Sequence, residues 1–192
     1  MRDLFRLAND IQSFCRERGW KFCFIGGLAL QRWGEPRLTG DVDLTILTGF
    51  GDETAYIEQL CRAFPGRIAD AAEFAERTRV LLLQSARRIP IDISLGALPF
   101  EQRVIERATY HQFLPAACLN TCSAEDLITL KAFADRSRDW ADIEGIVLRM
   151  GRRLDWALVE AELQPLCELK EAPDILTRLR ALQASHGDGP AS

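Results

Sequence analysis

A glycine pair followed by two closely spaced aspartates is the feature that most constrains this chain. Ile25-Gly26-Gly27 closes one short apolar run, and Asp41-Val42-Asp43-Leu44 opens another. Successive side chains of a β-strand point to opposite faces, so the two aspartates share one face while the valine and leucine share the other. The pattern predicts a strand, a tight turn into a helix, and a second strand that carries carboxylates along one side.

A third carboxylate, Asp92, lies in another short apolar run, Pro90-Ile91-Asp92-Ile93. Three acids that converge on one spot repel each other unless cations lie between them. We therefore expect a Mg²⁺ site, which Mn²⁺ can also occupy, with substrate phosphates as further ligands. The alternatives are two solvated carboxylates at Asp41 and Asp43, and a salt bridge from Asp92 to a nearby arginine.

The remaining candidate residues of this stretch are the glycines and two side chains of the loop before the acids. Gly26 and Gly27 let backbone N–H groups approach a phosphate at a helix N-terminus, or they only make a tight turn. Arg37 is predicted to reach a nucleotide phosphate as a bidentate donor, the alternative being an ordinary surface arginine. Thr39 either caps the loop or contacts a phosphate.

Charge and composition exclude several classes of protein. The formal net charge of −4 argues against wholesale nucleic-acid binding, which a basic face normally supplies. No apolar run approaches the roughly 20 residues that a membrane span needs, and the N-terminus lacks a signal-peptide core, so we expect a cytoplasmic protein. The 6 cysteines show no Cys-x-x-Cys pair or zinc-finger spacing, which predicts reduced thiols.

Hydrophobic periodicity divides the chain into an α/β part and a helical part. Helical and strand patterns alternate up to about residue 120, with a predicted antiparallel hairpin of the runs 78–84 and 89–95. From Ser123 onward every pattern is helical. We therefore predict an α+β protein: a mixed sheet flanked by helices in 1–120, a helical region packed on this core in 121–184, and a flexible tail in 185–192.

The glycine pair, the run Arg37-x-Thr39-x-Asp41-x-Asp43 and the later Asp92 together resemble the nucleotidyltransferase superfamily, which has a polymerase-β-like fold. Downstream, Glu125-Asp126-Leu127-Ile128-x-x-Lys131 and Arg138-Asp139-x-x-Asp142-Ile143 resemble the branch that contains AbiEii-type toxins and many small uncharacterised nucleotidyltransferases. The resemblance spans roughly residues 20 to 150.

The resemblance implies an enzyme that transfers a nucleoside monophosphate from an NTP to an acceptor hydroxyl. Asp41, Asp43 and Asp92 would bind two metals, and Asp92 would also take the acceptor's proton. Lys131 would contact nucleotide phosphate, with Asp139 or Asp142 orienting it or the acceptor. Alternatively, Lys131 is only the polar side of an amphipathic helix.

One departure concerns the second glycine. Many relatives carry a serine there, whose hydroxyl contacts a phosphate, whereas this chain has Gly27. The acceptor stays open between a tRNA, a protein and a small molecule, and an AbiEii-like toxin would have a cognate antitoxin protein as its partner. A non-catalytic member that binds a nucleotide or a protein is the alternative function.

Overall fold

The computed structural model describes residues 1–186, which divide into two compact units. The first unit comprises Met1–Leu28 and Leu38–Cys122. The second comprises Ala29–Arg37 together with the chain from Ser123 onward. The segment 29–37, which we predicted as part of the α/β core, thus groups with the helices. Of the predicted tail, positions 187–192 lie outside the described residues.

The first unit is built on a mixed sheet whose strands run in the order β3-β4-β2-β1-β6-β5 across the described part of the chain. The strands are β1 (Phe22–Phe24), β2 (Val42–Leu47), β3 (Val80–Gln84), β4 (Pro90–Gly96), β5 (Thr109–Leu114) and β6 (Ala117–Thr121). β2 is parallel to β4 and β1 is parallel to β6, whereas the remaining neighbours are antiparallel. The predicted hairpin of β3 and β4 is confirmed.

The helices of the first unit are α1 (Arg2–Glu17), α3 (Glu53–Ala63), α4 (Ala71–Thr78) and α5 (Pro99–Arg107), and α2 (Gly26–Trp33) begins in this unit and ends in the second. α4 is a helix that the sequence pattern does not predict. Its buried positions are the small residues Ala71 and Ala75, which give a weak hydrophobic period.

The core of the first unit explains why its strands alternate as they do. In β2 and β4 the side chains of Val42, Leu44, Ile91 and Ile93 are fully buried. The residues between them point to the opposite face because the side-chain period of a strand is two. Burial of one face therefore sets the register and leaves Asp92 and its neighbours on the other face.

The second unit is a bundle of helices: α6 (Ala124–Ala134), α7 (Ser137–Met150), α8 (Trp156–Lys170) and α9 (Pro173–His186), with a short 3₁₀ turn at Gly151–Arg153. Ser123 caps α6, since its hydroxyl accepts a hydrogen bond of 3.0 Å from the Asp126 backbone N–H. Buried apolar side chains such as Ile128, Ile143 and Leu163 form its core. The predicted α+β class with C-terminal helices is confirmed.

All 6 cysteines lie in the described part of the chain, and none of them forms a disulfide there. Among the described residues, no helix has both the length and the apolar character that crossing a membrane requires.

Candidate active site

The glycine turn lies directly against one of the predicted metal ligands. Gly26 has φ +55°, a conformation that favours glycine, and a Cβ built on it would lie 2.0 Å from Asp43 Oδ2. The Gly27 backbone N–H donates to the same Oδ2 at 3.3 Å. The start of α2 and the start of β2 are therefore joined through the Asp43 carboxylate.

Asp43 and Asp92 are brought together by strand register. They are direct partners in the parallel pairing of β2 and β4. Partners on adjacent strands lie on the same face, about 5 Å apart between backbones. Two acids separated by almost fifty positions in the chain thus become neighbours.

Asp41 lies just before β2, whose pairing with β4 begins at Val42. Its Oδ1 accepts a hydrogen bond of 2.6 Å from the Thr39 hydroxyl. The Thr39 side chain in turn occupies the space beside Gly27, because a Cβ built on Gly27 would lie 2.2 Å from Thr39 Oγ1. Direct contacts therefore link Gly26, Gly27, Thr39, Asp41 and Asp43, and the strand register places Asp92 beside Asp43.

Arg67 is a residue of this cluster that the sequence analysis missed. Its Nη2 lies 2.8 Å from Asp92 Oδ1, and both side chains are about one third exposed. The Arg67 backbone N–H also bonds to the Leu82 carbonyl, and Leu82 is the register partner of Asp92. Only the pairing of this loop with the edge strand β3 brings Arg67 near Asp92, so no local sequence signal marks it.

The salt bridge from Asp92 to an arginine was the alternative that the sequence left open, and that contact is present. Asp92 Oδ1 is nevertheless a buried oxygen that accepts no hydrogen bond of regular geometry from the described residues. An ion pair at 2.8 Å without proper hydrogen-bond alignment leaves acceptor capacity on this oxygen.

The carboxylate oxygens of the site are donor atoms of the type that a divalent cation prefers. Mg²⁺ and Mn²⁺ prefer carboxylate oxygens, and the paired Asp43 and Asp92, with the unsatisfied Oδ1, offer them on one face. Within residues 1–186, however, no group of three or more His, Cys, Asp and Glu side chains is gathered closely enough to hold a metal ion. The donor types fit the cation, and the third acid, Asp41, is bonded to Thr39 instead.

The other predicted residues form a separate charge cluster in the second unit. Lys131 Nζ lies 3.2 Å from Asp139 Oδ1 and 2.6 Å from Asp142 Oδ2. Arg37 donates to Asp142 through both Nε and Nη2, each at 2.8 Å. Arg136 Nε adds a bond of 2.6 Å to Asp139. This bidentate edge of Arg37 is the one that we predicted for a nucleotide phosphate.

Burial distinguishes this cluster from a surface ion pair. The side chains of Lys131, Asp139 and Asp142 are only 6 to 7% exposed. Burial alone would raise the pKa of Asp142, but hydrogen bonds from Arg37 and Lys131 outweigh it and hold that pKa below its usual value. That Arg37 and Lys131 contact nucleotide and that Asp139 orients the lysine stay predictions.

Several solved structures are similar to this chain. A solution structure of the antibiotic-resistance factor ANT(2'')-Ia matches with a TM-score of 0.58 and 14% identity, covering 96% of this chain and 97% of that one. A nucleotidyltransferase-like protein from Paracoccidioides brasiliensis matches with a TM-score of 0.49 and 18% identity over 94% and 91%. The lincosamide antibiotic adenylyltransferase LnuA matches with a TM-score of 0.46 and 12% identity over 71% and 91%.

At such identities the first match shows the fold, and the weaker two add nothing to it. No curated protein sequence matches the chain significantly. The family model described as "Nucleotidyl transferase AbiEii toxin, Type IV TA system" matches residues 15–178. This range contains every candidate residue discussed above and most of the chain, so the protein belongs to the AbiEii nucleotidyltransferase family.

Proposed function

We propose that this protein is a Mg²⁺-dependent nucleotidyltransferase that moves a nucleoside monophosphate from an NTP to an acceptor hydroxyl. The observation that carries the proposal is the register pairing of Asp43 with Asp92 beside the glycine turn. This arrangement combines carboxylates for a cation with backbone N–H groups at a helix start for phosphate, which nucleotidyl transfer requires together.

In this reaction the acceptor oxygen forms a bond to the α-phosphorus while the bond from that phosphorus to the β-phosphate oxygen breaks. Pyrophosphate leaves, and the acceptor's proton passes to a base. When bound, Mg²⁺ would neutralise charge on the triphosphate and on the leaving pyrophosphate.

The chain's own groups bind and orient the reactants. Asp41, Asp43 and Asp92 would hold the cation, and the turn at Gly26 and Gly27 lets the triphosphate approach the backbone closely. Asp92 is the residue that we assign to receive the acceptor's proton. In that role it would have to share its carboxylate with Arg67, which lies 2.8 Å away.

The family description supports a toxin whose acceptor is a molecule of the host cell and whose activity a cognate antitoxin protein restrains. The antibiotic-resistance factor with the same fold makes a small molecule the competing class of acceptor. Incubation of the protein with labelled NTPs and a cell extract tests both, because the labelled product identifies itself as RNA, protein or small molecule.

Matched variants make this experiment decisive. Labelling must vanish in Asp41→Ala/Asp43→Ala and persist in Asp52→Ala, which removes an exposed carboxylate that caps no helix N–H. Labelling that is equal in the wild type and in both variants would refute the site assignment.

A non-catalytic member that binds a nucleotide or a protein is the second candidate. The Arg67 ion pair favours it, because an arginine beside Asp92 relieves part of the repulsion that would otherwise demand a cation. Calorimetric titration with NTP and Mg²⁺, together with a pyrophosphate-release assay, separates the two functions. Binding without turnover across a broad acceptor panel would support the second candidate.

A further inference from the structure

The two glycines of the turn are required for different physical reasons. Gly26 has positive φ and faces Asp43, whereas Gly27 is not in the left-handed region, so its backbone would accept any L-residue. What excludes a side chain at Gly27 is space. A Cβ there would lie 2.2 Å from Oγ1 and 2.7 Å from Cβ of Thr39.

The Thr39 side chain cannot move out of this space by a small rotation. Threonine is short and stiff at χ1, so a clash with its own Cβ has to move the loop backbone and not merely rotate a distant atom. A side chain at Gly27 and the present position of Thr39 therefore exclude each other.

The Thr39 hydroxyl, which fills the space beside Gly27, has Asp41 as its hydrogen-bond partner. Thr39 Oγ1 donates to Asp41 Oδ1 at 2.6 Å, the length of a charge-assisted O–H···O⁻ bond. Asp43 is held by the strand ladder of β2 and by the Gly27 N–H, whereas the pairing with β4 starts only after Asp41. Asp41 is thus the acid that most needs a side-chain partner to orient its carboxylate.

We propose that Thr39 is a positioning residue for Asp41 and that position 27 is glycine in order to admit it. The serine hydroxyl that many relatives carry at that position is then not simply lost, because the loop delivers a hydroxyl into the same space and aims it at a metal-binding acid. The inference rests on the proposed function, in which Asp41 helps to hold the cation.

The test measures binding of Mn²⁺ alone, from the paramagnetic resonance signal of the free ion, together with urea unfolding of each variant. Thr39→Val keeps the shape but removes the hydroxyl, so we expect the Mn²⁺ Kd to rise about tenfold, the lower end of what partners of metal ligands contribute. Thr39→Ser restores the hydroxyl and should return the Kd to near the wild-type value. Thr54→Val makes the same change at an exposed threonine and should have no effect.

Gly27→Ser should raise the Kd as Thr39→Val does and should also lower the urea midpoint. Gly27→Ser/Thr39→Gly removes the clash and should recover part of the urea midpoint, but its Kd should stay raised because the Thr39 hydroxyl is absent. Should Gly27→Ser fail to fold, the comparison of Thr39→Val with Thr39→Ser still decides the positioning role.

Two results would overturn the inference in distinguishable ways. If the wild type binds Mn²⁺ and Thr39→Val binds it equally well, the proposed function stands and the positioning role is wrong. If the wild type binds no Mn²⁺ with or without NTP, the metal-dependent function fails and the inference fails with it.

Discussion

Carboxylates are concentrated in two regions of this protein, and the regions treat them in opposite ways. In the first unit Asp43 and Asp92 are partly exposed, and one buried oxygen of Asp92 accepts no regular hydrogen bond from the described residues. In the second unit Asp139 and Asp142 are buried and bonded to Lys131, Arg37 and Arg136.

The difference indicates that the charges of the two regions have different roles. A group that binds a cation or a phosphate must keep some of its coordinating or hydrogen-bonding capacity unused by the protein. A buried charge, in contrast, is tolerated only when it is fully paired. The comparison predicts that the acids of the first unit matter chiefly for activity and those of the second chiefly for stability.

The largest expected effect is on catalysis. Asp43→Asn should lower the rate of nucleotide transfer by about ten-thousandfold, since losing a metal ligand removes several kcal/mol of transition-state stabilisation and each factor of ten corresponds to about 1.4 kcal/mol. Its urea unfolding should change little. If Asp43→Asn lost much stability but kept its activity, the acids of the first unit would be structural and the predicted contrast would be wrong.

The second effect is on stability. Asp142→Ala should destabilise the protein by about 3–5 kcal/mol in urea unfolding, because it leaves the buried Lys131 without its nearest partner. The control is Glu160→Gln, which breaks an exposed ion pair to Arg180 and should cost less than about 1 kcal/mol. Equal effects of the two variants would show that the buried cluster is not a structural element.

The pH dependence of stability follows from the lowered pKa of Asp142. A carboxyl whose pKa is lower in the folded state stabilises the protein above its unfolded pKa of about 4, and the contribution is lost as the pH falls through the folded pKa. The difference in unfolding free energy between wild type and Asp142→Asn should therefore shrink below about pH 4. A difference that is constant from pH 7 to pH 3 would contradict this assignment.

The smallest effect concerns the arginine in the first unit. Arg67→Met removes the cation beside Asp92, so the Mn²⁺ affinity should rise by up to about fivefold, the equivalent of about 1 kcal/mol for a partly exposed pair. Arg87→Met, which breaks an exposed ion pair to Asp3, is the matched control and should leave the affinity unchanged. A fall in affinity for Arg67→Met would mean that Arg67 supports cation binding and does not compete with it.

Sequence reasoning found most of the elements because their hydrophobic periods are strong. The alternation around Asp43 and Asp92 predicted two strands with acids on one face, and both strands are present. It missed α4, whose buried residues are alanines, and Arg67, whose contact depends on a loop that pairs with β3. Periodicity reports on one element at a time and carries no information about which loop meets which strand.

The chemical inventory can be read from the chain alone: the glycine turn, the three acids, and the lysine and arginine that the family pattern marks. Local alternation and helical periods follow from which side chains avoid water, and these are readable in the chain. The folded structure sets how these charges are used. It paired Asp43 with Asp92 by register, buried Lys131 between two aspartates, and filled the space at Gly27 with Thr39, because long-range packing chooses the neighbours of each charge.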